Sequence, residues 1–372
     1  MTDFSQQYDT GSWSALQARL DTVAPEQVHR VLQGEPATAD DLPILLAPAA
    51  DALLEPMAQR ARALTLQRFG RAIALYVPLY LSNYCASSCL YCGFSRENRI
   101  QRRTLTADEV AAEMEALRAQ GFEHLLLVCG DHPREVPIER LLEAVSLAHR
   151  RFASVSVEVY QMDAPRYRRL VEAGCDGLVL YQETYDPAQY ARMHPAGLKS
   201  DFAARLRAIE AGADAGMRSI GLGALLGLSD WRREACALGL HAAWLMKHYW
   251  RARIAFSLPR LCPAAGGFAT PLPVSDRDLV HMMLALRLVF PDAELVVSTR
   301  EPGELRDHIL RLGVATRFSA GSRTAPGGYV LGEAATGQFD VHDKRPAAEV
   351  AHAIAQAGYD PVWKDWDRAF LE

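Results

Sequence analysis

The sequence predicts an α/β protein: a (β/α)8 (TIM-type) barrel with a helical N-terminal extension and a C-terminal cap segment. Three observations predict it. From residue 73 onward, eight short apolar runs recur, as expected for parallel strands buried on both faces. Helical periodicity fills most of the intervals between them. The alternation spans roughly 250 residues, the usual extent of such a barrel. A doubly wound open sheet would give the same alternation, because alternation alone does not establish closure.

The elements follow in order. Amphipathic runs at 15–20, 26–32, 40–46 and 53–69 are separated by Gly, Pro and Ala-Pro breaks, and Gly70 stands where a C-terminal cap glycine would. This predicts a helical extension over 1–70. The candidate strands are 73–81, 124–128, 155–160, 177–181, 219–224, 254–258, 294–299 and 316–319. Helices are predicted at 107–120, 139–152, 166–172, 201–213, 230–248 and 276–289, the first opened by a Thr106/Glu109 capping box. The barrel is therefore assigned to 71–322. Over 323–372 the pattern dissolves into Gly, Thr and Pro, followed by one helix at 347–357 and a terminal stretch with Trp363 and Trp366.

Composition narrows the class. The 372 residues carry 40 Lys+Arg against 45 Asp+Glu, a net charge of −5, which argues against nucleic acid or an anionic membrane as the main partner. With 49% hydrophobic and 23% charged residues, a sizeable core can be buried and wholesale disorder is excluded. The opening Met1-Thr2-Asp3-Phe4-Ser5-Gln6-Gln7 has neither a basic nor an apolar leader region, and the apolar run at 72–81 is too short to span a bilayer. The odd count of seven cysteines does not read as a secreted disulfide framework. A reducing cytoplasm is expected, where clustered thiols bind metal or catalyse.

The sharpest signal is Tyr84-Cys85-Ala86-Ser87-Ser88-Cys89-Leu90-Tyr91-Cys92-Gly93, a C-x3-C-x2-C spacing just past the first strand, on the face where barrels place active sites. Three thiolates hold a metal centre one ligand short of four; in a cubane iron–sulfur cluster one iron would stay open for a small molecule. A structural zinc site would want a fourth Cys or His nearby, and a Cys89/Cys92 dithiol would leave Cys85 unexplained. Cys129, Cys175, Cys236 and Cys262 read as small buried hydrophobes. Arg96, Arg99, Arg102 and Arg103 read as a solvated basic face.

With an aromatic residue before the last cysteine, this motif resembles that of the radical S-adenosylmethionine (SAM) enzymes. Beyond it, Pro78-Leu79-Tyr80-Leu81-Ser82-Asn83, Tyr181-Gln182-Glu183-Thr184-Tyr185, the Gly-rich 220–230, Ser298-Thr299-Arg300-Glu301, Pro326-Gly327-Gly328-Tyr329 and Pro361-Val362-Trp363-Lys364-Asp365-Trp366 are similar to the tyrosine lyases of bacterial thiazole (thiamine) biosynthesis. The likeness covers nearly the whole chain. It implies that Cys85, Cys89 and Cys92 ligate one [4Fe–4S] cluster whose open iron chelates SAM. It places Tyr91 beside the adenine, Gly130 at the methionyl amine, Glu183 at the ribose and Arg205 at the SAM carboxylate. Gly221, Gly223 and Gly227 would let the backbone approach the nucleoside.

On the substrate side the resemblance implies Tyr80, with Ser319 and Ser322 after the eighth strand. Arg300 is expected to hold an amino-acid carboxylate, since a guanidinium pairs both oxygens. Its rival is Arg260, with Arg300 merely bridging to Glu301. The implied reaction cleaves the Cα–Cβ bond of L-tyrosine to 2-iminoacetate and 4-cresol, while SAM gives methionine and 5′-deoxyadenosine. The implied partners are thiazole synthase and a low-potential electron donor. A related tryptophan lyase would share the SAM apparatus. Outside enzymes, an iron–sulfur or zinc protein that binds a partner is the alternative. The tyrosine lyase of hydrogenase cofactor assembly adds a second cluster on C-terminal cysteines, and here no cysteine follows Cys262.

Overall fold

A computed structural model describes residues 3–34, 36–332 and 334–364; Asp365 and Trp366 of the last quoted motif lie outside them. Strands β1 (Ala72–Ser82), β2 (His124–Cys129), β3 (Ser154–Glu158), β4 (Gly177–Val179), β5 (Ser219–Gly223), β6 (Arg253–Ser257), β7 (Glu294–Val297) and β8 (Arg317–Ser319) run in sequence order, all parallel. β1 pairs with both β2 and β8, so the sheet closes and the open-sheet alternative is set aside. Leu75, Val77 and Leu79 of β1, Leu125 and Leu127 of β2 and Val155 and Val157 of β3 are buried in the hydrophobic core, whereas the alternate positions Tyr76, Leu126, Ser156 and Gly221 line a cavity of about 470 Å3.

Register sets what meets at the mouth. Tyr80 of β1 lies opposite Val128 of β2, and Val128 opposite Glu158 of β3. These residues therefore share one level of the barrel. A β-bulge between Tyr80 and Ser82 follows at once, where β1 leaves the sheet for the cysteine loop.

Each strand is followed by a helix. Ala107–Ala119 opens with the expected capping box: Thr106 N–H donates to Glu109 Oε2 (2.9 Å), and Glu109 N–H donates to Thr106 Oγ1 (3.3 Å). Two helices had no sequence expectation. Pro187–Met193 makes only two turns, begun by Asp186, whose carboxylate accepts from the Ala188 and Gln189 amides. Gly303–Leu312 starts on Pro302-Gly303, a pair that reads as a breaker but here forms the first turn.

The N-terminal helices Thr10–Asp21, Pro25–Gln33, Leu42–Leu46 and Leu54–Phe69 lie against the barrel's outer helices, chiefly Trp231–His248 and Asp276–Val289. At the other end, helix Ala347–Gln356 leads to a ninth strand, β9 (Asp360–Val362). Ala74 of β1 pairs with Arg317 of β8 on one edge and Val362 of β9 on the other, so β9 prolongs the sheet beneath β2. No helix among the described residues is long and apolar enough to cross a membrane.

Candidate active site

The cysteine loop leaves β1 and is pinned from inside. Asn83 donates to the carbonyls of Gln101 and Thr336 (both 2.9 Å) and accepts from the Arg103 amide (2.7 Å). Arg102 donates to four carbonyls: Asn83 (2.6 Å), Phe94 (3.1 Å), Ser95 (2.8 Å) and Asn98 (3.3 Å). That corrects the solvated-face expectation for Arg102, because its guanidinium satisfies loop carbonyls that have no strand or helix partner. A Cβ on Gly130 would sit 2.3 Å from the Tyr84 carbonyl oxygen, so only glycine lets the loop close on β2.

Cys89 is buried, and Cys85 and Cys92 are half-buried. Burial pushes all three thiols up, Cys85 to about 12, while the Lys199 cation pulls Cys89 and Cys92 back. Ligation by a metal centre would displace those protons. Among the described residues no three Cys, His or carboxylate side chains converge as a mononuclear site requires. A multi-iron cluster, with one thiolate per iron, suits three sulfurs spread along one loop.

Above the loop, Tyr91 donates its hydroxyl to His194 Nε2 (2.8 Å). The tautomer follows from the other side of the ring, where Nδ1 faces the Tyr190 carbonyl at 2.8 Å and must donate. Burial, then the Lys199 cation, pushes the His194 pKa down to about 3, so the imidazole is neutral. Glu183 is the only non-glycine residue with positive φ (70°) among those described, a conformation costing on the order of 1–3 kcal/mol and common at functional sites. Its carbonyl accepts from the Leu225 amide at 2.7 Å, and its carboxylate is paired with Lys199. Burial alone would raise the Glu183 carboxyl, but Lys199 and Arg205 outweigh it and hold the group below the usual range.

Arg205, 4% exposed, uses Nε on the Tyr181 carbonyl (2.9 Å) and leaves Nη1 buried without a partner. An unpartnered buried guanidinium nitrogen beside the cysteine loop fits an anionic ligand such as the SAM carboxylate. Gly221 faces Val179, and a Cβ on Gly223 would meet the Tyr181 ring (2.5 Å) and the Ser257 carbonyl (2.7 Å).

Beneath and beside this lies a cavity of about 500 Å3 lined by Tyr80, Glu158, Arg300, Ser319, Ser322, Gln338 and Phe339 among others. Arg300 stacks on the Phe339 ring, its guanidinium carbon 3.4 Å from the centroid. It makes no ion pair among the described residues. Arg260 instead pairs with Glu301, and its Nη1 donates to Asp276 (2.7 Å) and the Val274 carbonyl (3.0 Å). Ser319 Oγ accepts from the Thr299 amide (3.0 Å), while buried Ser322 Oγ has no partner. Tyr80 donates to Gln338 Oε1 (2.7 Å), and Gln338 Nε2 points at Cys92 Sγ (3.9 Å). One amide thus links the cavity to the cysteine loop.

Cys129, Cys175 and Cys236 are buried as expected. Cys262 is not; it is half-buried, with Sγ directed at the carbonyls of Arg260 (3.6 Å) and Arg300 (3.7 Å). Sequence reasoning missed Glu158, His194, Lys199, Gln338 and Phe339. Glu158 had a signal, since it is polar at the end of an apolar strand, where barrels place site residues. Gln338 and Phe339 had none, because they lie in the Gly-rich tail.

Comparison with known proteins fits this geometry. The Radical SAM superfamily matches residues 79–238, and the Biotin and Thiamin Synthesis associated domain matches 257–360. The chain is 43% identical over 368 residues to 2-iminoacetate synthase of Escherichia coli (strain K12), covering 99% of this chain and 97% of that protein; the Salmonella typhimurium protein of the same name matches equally. Among solved structures, HydG, a maturase of the [FeFe]-hydrogenase, superposes with a TM-score of 0.88 at 30% identity, covering 94% of this chain and 80% of that one. Methylornithine synthase (PylB), at 22% identity and a TM-score of 0.71, shares the fold. The superfamily match implies an iron–sulfur cluster and SAM as cofactors. At 43% identity along nearly its whole length, the chain belongs to the 2-iminoacetate synthase family.

Proposed function

We propose that the protein is a radical SAM lyase that cleaves the Cα–Cβ bond of L-tyrosine, giving 2-iminoacetate and, after reduction, 4-cresol, and so supplies the thiazole moiety of thiamine. The observation that carries this reading is Arg300, an arginine with no ion pair among the described residues, in a cavity linked through Gln338 to the cysteine loop. The 43% identity to proteins named 2-iminoacetate synthase supports it.

Cys85, Cys89 and Cys92 would hold a single [4Fe–4S] cluster, which with bound SAM and an electron would supply 5′-deoxyadenosyl radical chemistry. Arg205 would offer Nη1 to the methionyl carboxylate, and Glu183, braced by Lys199, would accept from the ribose hydroxyls. Tyr91, Gly130, Gly221 and Gly223 would line the nucleoside and methionyl amine. Arg300 would pair both carboxylate oxygens of tyrosine, with Tyr80 and Ser319 beside it, fixing the amine for attack. Walls of buried side chains keep water from a primary radical that must meet only its target hydrogen. In this reading 71–322 carry the chemistry, 1–70 buttress the barrel, and the stretch around 336–339 caps its mouth while β9 extends the sheet at the opposite end.

Anaerobic reconstitution with iron and sulfide, then SAM, reductant and each aromatic amino acid, tests the reading. The expected products from tyrosine are 4-cresol and glyoxylate, the hydrolysis product of 2-iminoacetate. Faster formation of 3-methylindole from tryptophan would make the protein a tryptophan lyase. Stoichiometric zinc with no SAM cleavage would make it a metal-binding partner protein. Because 2-iminoacetate hydrolyses readily, hand-over within a complex with thiazole synthase follows, as does a low-potential electron donor, both in the reducing cytoplasm. Failure of the two proteins to associate in anaerobic titration to high micromolar concentration would count against the complex.

A further inference from the structure

We infer that Glu158 takes the proton of the bound amino acid's α-ammonium group, so that the nitrogen presented to the deoxyadenosyl carbon is a neutral amine. The inference rests on the tyrosine-lyase reading of the site. Glu158 ends β3 and lines the same cavity as Arg300, which follows β7. Three strands lie between β3 and β7 on either side of the ring of eight, so the two side chains enter from opposite sides of the barrel. Arg300 suits the carboxylate of a zwitterion, and Glu158 is the acid facing it.

The fully buried acids nearby and elsewhere are committed. Glu183 has Lys199, Glu301 has Arg260, Glu234 accepts from Thr184 and Tyr185, and Glu113 accepts from the Tyr329 and Val330 amides. Glu158 accepts no hydrogen bond and joins no ion pair among the described residues. Glu158 is half-buried, so its carboxylate opens into the cavity and is available to a ligand there.

The charges around Glu158 place it at the junction of the two subsites. Glu183, Lys199 and Arg205 act on it from the nucleoside side and Arg300 from the substrate side, with the phenols of Tyr76, Tyr80 and Tyr181 nearby. Burial, then Glu183, pushes its pKa up to about 7 against the pull of Arg300, Lys199 and Arg205. A free amino acid's α-ammonium titrates above this, and enclosure beside the Arg300 cation draws it down toward Glu158, so that a proton can pass between them.

The step balances without a co-reactant. The N–H bond of the ammonium breaks heterolytically, its electron pair stays on nitrogen, and the proton forms an O–H bond on Glu158. Net charge in the cavity is unchanged. A hydrogen atom is then removed from a nitrogen that keeps its lone pair, rather than from a cation.

The test uses cluster-loaded, SAM-bound, unreduced enzyme, titrated with tyrosine by calorimetry in two buffers of different ionisation enthalpy. Because Glu158 and the amine would end sharing one proton, binding should release most of a proton at pH 6, where both groups start protonated, and progressively less as pH rises through 7. Release that does not change with pH overturns the inference. Glu158→Gln should lose the pH-dependent release and form cresol about 100-fold more slowly at saturating tyrosine. Near-native turnover at saturation, even with a raised KM, would mean that Glu158 only anchors the ammonium, and overturns proton transfer. If Glu158→Gln does not load its cluster, the nitrogen NMR shift of isotope-labelled tyrosine bound to the unmodified enzyme decides, and an ammonium shift overturns the inference. Failure of the unmodified enzyme to make cresol from tyrosine would instead overturn the lyase reading.

Discussion

Arg260 holds the carboxylate of Glu301 through both Nε and Nη2. Glu301 follows Arg300 in the chain, so the ion pair that sequence alone would draw between neighbours is taken by a residue 41 positions away. Arg300 is left stacked on Phe339, lining the cavity. Arg260 has given its remaining nitrogen to Asp276 and the Val274 carbonyl. The two arginines thus divide into a structural clamp and an available one.

Arg300→Lys is expected to bind SAM normally but to weaken tyrosine binding. A lysine point charge cannot pair both carboxylate oxygens, and losing a desolvated pair costs about 2–5 kcal/mol, or roughly 30-fold to several-thousand-fold in affinity. SAM cleavage should become uncoupled from cresol formation, read as the ratio of 5′-deoxyadenosine to cresol. Arg260→Lys should lower the melting temperature. Loss of tyrosine binding in Arg260→Lys alone would reverse the assignment.

The cysteine loop should respond to two kinds of change. Ala at Cys85, Cys89 or Cys92 should abolish SAM cleavage and bound iron, whereas Cys175→Ala, at a buried position ahead of β4, should keep both. Arg102→Ala frees four loop carbonyls, so iron per chain after reconstitution should drop even though no ligand is removed. Lys at 102 should restore little, because the bonds need a planar fork.

Lys199 and Glu183 form a buried pair, with side chains 14% and 9% exposed. Lys199→Met leaves that carboxylate without its main partner and is expected to destabilise the fold by about 3–5 kcal/mol, measured by denaturant unfolding. SAM affinity should fall as well. Combining it with Glu183→Gln should recover part of the stability; strictly additive losses would mean that the two residues do not act as a pair.

Glu234 sets a pH dependence of opposite sign to that of a paired carboxylate. Burial pushes its pKa up to about 8, against the hydrogen bonds from Thr184 and Tyr185. Its folded value lies above its unfolded one, so between about pH 4.5 and 8 the native state binds more protons and stability falls as pH rises, by at most about 1.4 kcal/mol per pH unit. Glu234→Gln keeps an acceptor for the Tyr185 amide and should flatten the decline in melts from pH 5 to 8. An unchanged slope would remove Glu234 from that role.

The strands and the Thr106 cap were legible because apolar runs and capping residues act locally. The cysteine spacing was legible for the same reason. The helix Gly303–Leu312 was hidden because Pro302-Gly303 signals a break whether it ends an element or starts one. β9 was hidden because three residues, Asp360–Val362, carry no periodicity and owe their extended form to β1, 288 residues earlier (Ala72 to Asp360). Arg102 looked like one charge in a basic patch, since nothing in Arg102-Arg103 says which guanidinium will turn inward. Lys199, Gln338 and Phe339 became site residues only through the return of distant segments.

That return has a consequence for synthesis. Tyr80 waits for Gln338, 258 residues later, and Asn83 for Thr336, 253 residues later, so these contacts form only after a long loop has closed. A nascent chain can have all three thiols in place while the wall over them is still being translated. Iron–sulfur delivery then has a natural window before the rim is sealed, and a ribosome stalled short of residue 336 would hold out a reactive thiol loop with no cover.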